Sequence, residues 1–189
     1  MNRCWWCEGD PIYEAYHDNV WGRPEQDERK LFEMLSLELF QSGLSWITVL
    51  RKQEYFFKAF EGWDIERIAG YDETKIGALL QDAGIIRNRK KIEAVIKNAN
   101  LYPKLVEEFG SLSAFLIQYT PAAEDTPADG FTRENIPLMI DEAKAMSKAL
   151  KKRGFSFTGP MVCMSLMQAV GIVNHHVQGC DLCPGTGAI

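Results

Sequence analysis

Residues 146–172 read MSKALKKRGFSFTGPMVCMSLMQAVGI, two apolar-periodic segments joined by a short glycine-bounded turn. Met139, Ala143, Met146 and Leu150 recur at the three- and four-residue spacing of one helical face, and that stripe ends at Gly154. Gly159-Pro160 then opens a second apolar helix to about Val173, because proline suits a first helical position, where no N–H is needed. The pattern predicts helix, tight turn, helix. Such a turn exposes backbone N–H groups at a helix N-terminus, a natural seat for a phosphate. Lys148, Lys151, Lys152 and Arg153 add cationic flanks. Helix–helix connections often look like this; the basic residues are what raise contact with a DNA backbone, at Gly154, Gly159, Lys151 and Lys152, as a reading.

The same period runs through the rest of the chain, and strand alternation is scarce. Asp27 is placed to cap a helix carrying Leu31, Met34 and Leu35 and stopping near Gly43. Ser45 starts a further helix with Trp46, Val49, Leu50, Phe57 and Phe60 on its buried side. Shorter helices are predicted at 65–69, 73–83, 89–99, 103–109 and 112–119. Residues 121–137 hold three prolines and a glycine and read as a surface connection, since helical pattern resumes directly after them. The expectation is an all-α fold in one domain spanning 1–189.

Bulk composition agrees: 189 residues, 46% hydrophobic and 25% charged, suit one soluble globular unit. No apolar run reaches the roughly 20 residues of a membrane span, and the start lacks a signal-peptide core, so a cytoplasmic protein with no membrane partner is expected, as a monomer. Five cysteines, reduced in that compartment, do not make a disulfide framework. The net charge of −5 speaks mildly against nucleic acid, but placement outweighs the total. Arg87, Arg89, Lys90 and Lys91 form a second basic cluster, which by itself reads as a solvated helix face.

Soft ligands gather at the two ends. Cys4-x12-His17 and His176-x3-Cys180 would supply a tetrahedral site joining the termini, and residues four apart share one side of a helical turn. Cys4-x2-Cys7 with Cys180-x2-Cys183 would supply a four-thiolate site instead, and spacing does not rank the two. A catalytic zinc would keep an open position for water, and no acid is obviously placed as its general base, so a closed structural site is expected.

Glu38 is the second signal. It follows Leu31 by seven residues and Met34 and Leu35 by four and three, which returns it to the apolar face of its helix. A carboxyl there is paired, capping a neighbour, or facing a pocket. Tyr13, Tyr16, Trp21 and Trp46 lie in nearby sequence, and Trp5 and Trp6 adjoin Cys4. An aromatic cavity with one acid at its base suits a flat, electron-poor or cationic ring.

Four stretches, RCWWCEGDPIYEAYHDNVWG (3–22), LFEMLSLELFQSGLSWITVLRK (31–52), DAGIIRNRKKIEAVIKNA (82–99) and KALKKRGFSFTGPMVCMSLMQAVGIVNHHVQGC (148–180), resemble the 3-methyladenine DNA glycosylase I family of the helix-hairpin-helix glycosylase superfamily. The resemblance covers essentially the whole chain. It implies a structural Zn2+ on Cys4, His17, His176 and Cys180. It also implies that Glu38 recognises the base, that Tyr16 and Trp46 stack on it or wall it, and that Tyr13, Trp6 and Trp21 belong to the pocket region. The hairpin at Gly154–Pro160 would hold alkylated double-stranded DNA. The implied activity is excision of 3-methyladenine by hydrolysis, without strand cleavage, with Glu38 as the catalytic-site acid favouring a positively charged purine. Two positions depart from the family pattern. Leu39 stands where a glycine is usual, and His175 stands where an acid is usual in Asn174-His175-His176.

Overall fold

The computed structural model describes residues 1–184. Its elements are α1 (Pro11–Asn19), α2 (Glu28–Gln41), α3 (Trp46–Leu50), α4 (Gln53–Ala59), α5 (Ile65–Ala69), α6 (Glu73–Gln81), α7 (Arg89–Phe109), α8 (Leu112–Leu116), α9 (Asp141–Lys152) and α10 (Pro160–Ala169). Among the described residues there is no strand, and a single isolated bridge pairs Phe131 with Val177. The all-α expectation holds.

The core is threaded by α2. The Asp27 carboxylate accepts from the N–H groups of Arg29 and Lys30, which starts the helix. Its residues 34–40 are buried without a break, so no polar face remains. A helix apolar on every side belongs inside a protein, and α2 indeed packs against α3, α7, α8 and α10. One of its buried side chains is acidic, and that residue is Glu38.

The hairpin forms as the sequence predicts. Helix α9 ends at Lys152, Gly154 turns the chain at φ +90°, and Pro160 is the first residue of α10. The turn is braced from inside. Ser147 Oγ donates to the Thr158 carbonyl at 2.6 Å, and the Asn98 amide of α7 bonds both the N–H and the carbonyl of Ser156.

The elements differ from the sequence reading in several places, α6 ending at Gln81 rather than residue 83 and α8 at Leu116 rather than residue 119. The helix expected from Ser45 to Phe60 breaks at Arg51-Lys52 into α3 and α4. The break lets Phe56 and Phe60 join Phe40 and Trp63 in one aromatic cluster and turns Phe57 outward, 47% exposed. The helices expected at 89–99 and 103–109 are one, because Pro103 has a helix-compatible φ and forfeits only one N–H bond in a helix held by α2, α5, α6 and α8. Helix α10 stops at Ala169 rather than Val173. There Gly171, at φ +72°, passes so close to Arg23 that an added Cβ would lie 2.4 Å from its carbonyl carbon. Finally, α1 was not anticipated, although Asp10-Pro11 is a cap followed by a first-turn proline.

Candidate active site

Helices α1, α2, α3 and α10 converge on a cavity of about 370 Å³. Trp5, Trp6, Tyr13, Tyr16, Trp21 and Trp46 line it, together with Glu38 from α2 and Met161, Met164 and Ser165 from α10. All six pocket residues expected from the sequence are therefore brought together. The rings brace one another: Trp6 meets Tyr13 at 5.5 Å and Trp21 at 4.9 Å between centroids, both edge-on, and Tyr16 meets Trp46 at 5.3 Å with the planes tilted. Rings held this way leave a slot with apolar walls and little freedom to collapse.

Glu38 is 4% exposed, and its Oε2 has no hydrogen-bond partner among the described residues. The buried Trp46 Nε1 also lacks one. Unpaired polar atoms of this kind cost about 1–3 kcal/mol each, so their persistence marks a place where something else supplies the partner. Burial alone pushes the Glu38 carboxyl up to about 8. A carboxyl raised in this way stays neutral over more of the pH range, and in that form has one donor and one acceptor oxygen. Burial, and then the neighbouring Glu38, also hold the Tyr16 phenol well above its usual value.

Beside the slot, Cys4, His17, His176 and Cys180 form a fully buried cluster whose donor atoms all lie within 4.8 Å of one another. His17 Nε2 and His176 Nδ1 are 3.1 Å apart, and Cys180 Sγ is 3.5 Å from each. Cys4 Sγ lies 3.7 Å from His176 Nδ1. Bonds of about 2.0–2.1 Å to nitrogen and about 2.3 Å to sulfur give a zinc tetrahedron edges of roughly 3.3–3.8 Å, so these residues fit the ion. Their outer bonds fix the tautomers. His17 Nδ1 pairs with the Asp18 carboxylate at 2.9 Å and His176 Nε2 donates to the Trp21 carbonyl at 3.2 Å, which leaves His17 Nε2 and His176 Nδ1 as the unprotonated nitrogens, the former 3.3 Å from the Cys4 N–H. Without a cation, burial drives the Cys4 thiol up to about 12, so a thiolate there calls for a metal.

The competing four-thiolate set is not assembled. Cys7 donates to the Cys4 carbonyl at 3.1 Å and Cys183 lies 3.5 Å from the Asp129 carbonyl. Gly22, at φ +76°, is where the chain clears the cluster: a Cβ there would lie 2.9 Å from His176 Nε2. The two termini also pair directly, Asn2 N–H to the Asp181 carboxylate and Asp181 N–H to the Asn2 carbonyl, each at 3.0 Å.

The basic clusters divide. Lys148, Lys151 and Lys152 are exposed on α9, whereas Arg153 is paired with Glu108. In the other cluster Arg89 is paired with Glu73 and Glu93, and Lys91 is buried, donating to the carbonyls of Phe40 (2.8 Å) and Ser42 (2.6 Å) at the end of α2.

The sequence matches the methyladenine glycosylase family over residues 6–183. The chain belongs to that family. It is 46% identical over 188 residues to DNA-3-methyladenine glycosylase 1 of Escherichia coli (strain K12), covering 98% of each chain. A crystal structure of 3-methyladenine DNA glycosylase I superposes with a TM-score of 0.86 at 46% identity, over 94% of this chain and 97% of that one. A tyrosine-to-phenylalanine variant of 3-methyladenine DNA glycosylase I, in complex with 3-methyladenine, gives a TM-score of 0.87 at 35% identity, over 97% and 98%.

In this methyladenine glycosylase chain the two departures have plain places. Leu39 is fully buried in the core and does not line the slot. His175 is outside the metal cluster; its Nδ1 meets Gln168 Nε2 at 2.9 Å and its ring packs edge-on against Phe131. Sequence reading missed Gln41, Met161, Met164 and Ser165, which line the slot. Only Gln41 carried a signal, lying one turn beyond Glu38.

Proposed function

We propose that this chain is a DNA-3-methyladenine glycosylase, which takes an alkylated nucleotide out of duplex DNA and hydrolyses the bond between base and sugar. The buried, unpartnered carboxyl of Glu38 at the base of an aromatic slot carries this reading, together with membership of the family. Extruding a base costs a few kcal/mol, less when the base is damaged. The walls formed by Tyr16 and Trp46, with Trp6, Tyr13 and Trp21, return part of that cost by stacking.

A base methylated at N3 is a cationic leaving group, so the reaction moves positive charge from the ring to the sugar. An anion at the ring would stabilise the ground state more than the transition state. When protonated, Glu38 avoids that penalty and offers both a donor and an acceptor to the purine edge. Recognition then rests on the pattern of hydrogen bonds and on stacking.

Exposed Lys151 and Lys152, with the braced turn from Gly154 to Gly159, suit the backbone of double-stranded DNA. The Cys4, His17, His176 and Cys180 cluster suits zinc in a closed structural role. When bound, the ion contributes folding energy, and the slot's own residues do the recognition.

The test is to incubate methylated duplex DNA with the purified protein and identify every base liberated. Release of 3-methyladenine, about 100-fold slower with Glu38→Ala, is expected, a loss typical of one preorganised polar group. Binding to methylated duplex with no base released would leave a non-catalytic binding module, and equal release by both proteins would remove Glu38 from recognition.

A further inference from the structure

A second cavity of about 210 Å³ adjoins the slot and is lined by Glu38, Gln41, Gly43, Leu44, Met161 and Ser165, among others. Glu38, Gln41, Met161 and Ser165 line both spaces, so they form the passage between them. Apart from its two tyrosine hydroxyls, the slot has four polar side chains in its lining: Glu38, Gln41, Ser165 and Gln168. Gln168 is engaged with His175. Gln41 and Ser165 carry no side-chain hydrogen bond among the described residues, and Glu38 Oε2 is buried without a partner. Besides the buried Trp46 Nε1 in the slot wall, the unengaged Glu38, Gln41 and Ser165 stand together at the passage.

The placement follows from the helices. Gln41 is three residues beyond Glu38 on α2 and so lies on the same face one turn on. Ser165 comes from α10, which packs against α2. The side cavity is bounded by the Ser42–Leu44 turn after α2 and by the first turns of α10, directly beyond the hairpin. These polar groups are where the aromatic slot meets the side cavity.

We infer that the side cavity is the subsite for the deoxyribose and the attacking water, and that Gln41 and Ser165 hold that water against the sugar carbon. The assignment rests on the glycosylase reading. The water oxygen bonds to C1′, and the C1′–N9 bond breaks with its electron pair staying on N9, which cancels the charge of the methylated ring. One water proton leaves to solvent. The amide of Gln41 and the hydroxyl of Ser165 can each accept from the water, aiming its lone pair without being ionised. Near-attack placement of one water is worth orders of magnitude in rate, whereas the base already held in the slot gains nothing from it.

Two measurements on the full-length protein separate these roles: quenching of tryptophan fluorescence by free 3-methyladenine, and single-turnover release from methylated duplex. For Gln41→Met and Ser165→Ala, release should slow by 10-fold or more beyond any loss of affinity for the free base. Ser165→Thr, which restores the hydroxyl, should recover most of the rate. Unchanged release in both variants, or base affinity falling in step with release, overturns the assignment. A wild-type protein that binds 3-methyladenine but releases none overturns the glycosylase reading and this subsite with it.

Discussion

Glu38 shows how a single buried group couples recognition to pH. Its carboxyl titrates near 8 in the folded protein because burial penalises the charge, whereas the unfolded chain releases the same proton at about 4.5. Between those values the native state holds one more proton than the unfolded state, so stability is full below about pH 4.5 and is lost as pH rises to about 8. The span sets an upper limit of roughly 4–5 kcal/mol. Glu38→Gln keeps a donor and an acceptor and cannot ionise. Thermal unfolding should show its Tm advantage over wild type growing from pH 5 to pH 8.5, and a constant difference across that range would refute the assignment.

Helix ends decide where the site's groups stand. The last carbonyls of α2 have no intrahelical partner, and buried Lys91 of α7 satisfies those of Phe40 and Ser42. That bond fixes the segment carrying Gln41 and the turn at Gly43. Lys91→Met should lower stability in urea by about 1–3 kcal/mol, since the two carbonyls lose their donor. The hairpin's lysines act on a different quantity. Replacing Lys151 and Lys152 by alanine should weaken duplex binding alike for damaged and undamaged sequences. It should also reduce the slope of log K against log salt by about 2. A salt slope equal to wild type would move the DNA contact elsewhere. Neither substitution is expected to change the affinity for free base, because neither side chain lines the slot.

The Cys4, His17, His176 and Cys180 cluster, which could hold a metal ion, is a property of the whole chain, since Cys4 and His176 lie 172 residues apart. It joins the segment bearing Trp5, Trp6 and Trp21 to residues 176–180 beyond α10, and those tryptophans line the slot. Removing the ion with a strong chelator should lower the Tm by about 10 °C or more, at about 2–4 °C per kcal/mol for a chain of this size. Elemental analysis should find close to one zinc per chain in the wild type and much less in Cys180→Ser. A chelated protein that keeps its Tm and loses only base release would make the metal a reaction centre. No described helix is long and apolar enough to cross a membrane.

Local pattern in the sequence determined the all-α class, the hairpin between Gly154 and Pro160, the cap at Asp27 and the oddity of Glu38 on an apolar face. Those signals lie within a few residues of one another, where periodicity and capping chemistry act. The four stretches of resemblance then singled out His17 and His176 over Cys7 and Cys183, a choice spacing left open. Tertiary structure decided the rest. Only packing broke the helix between Ser45 and Phe60, carried α7 through Pro103, set Leu39 in the core and brought Ser165 of α10 beside Gln41 of α2. Each depends on contacts between segments remote in the chain, and no local rule encodes which distant surface a side chain will meet.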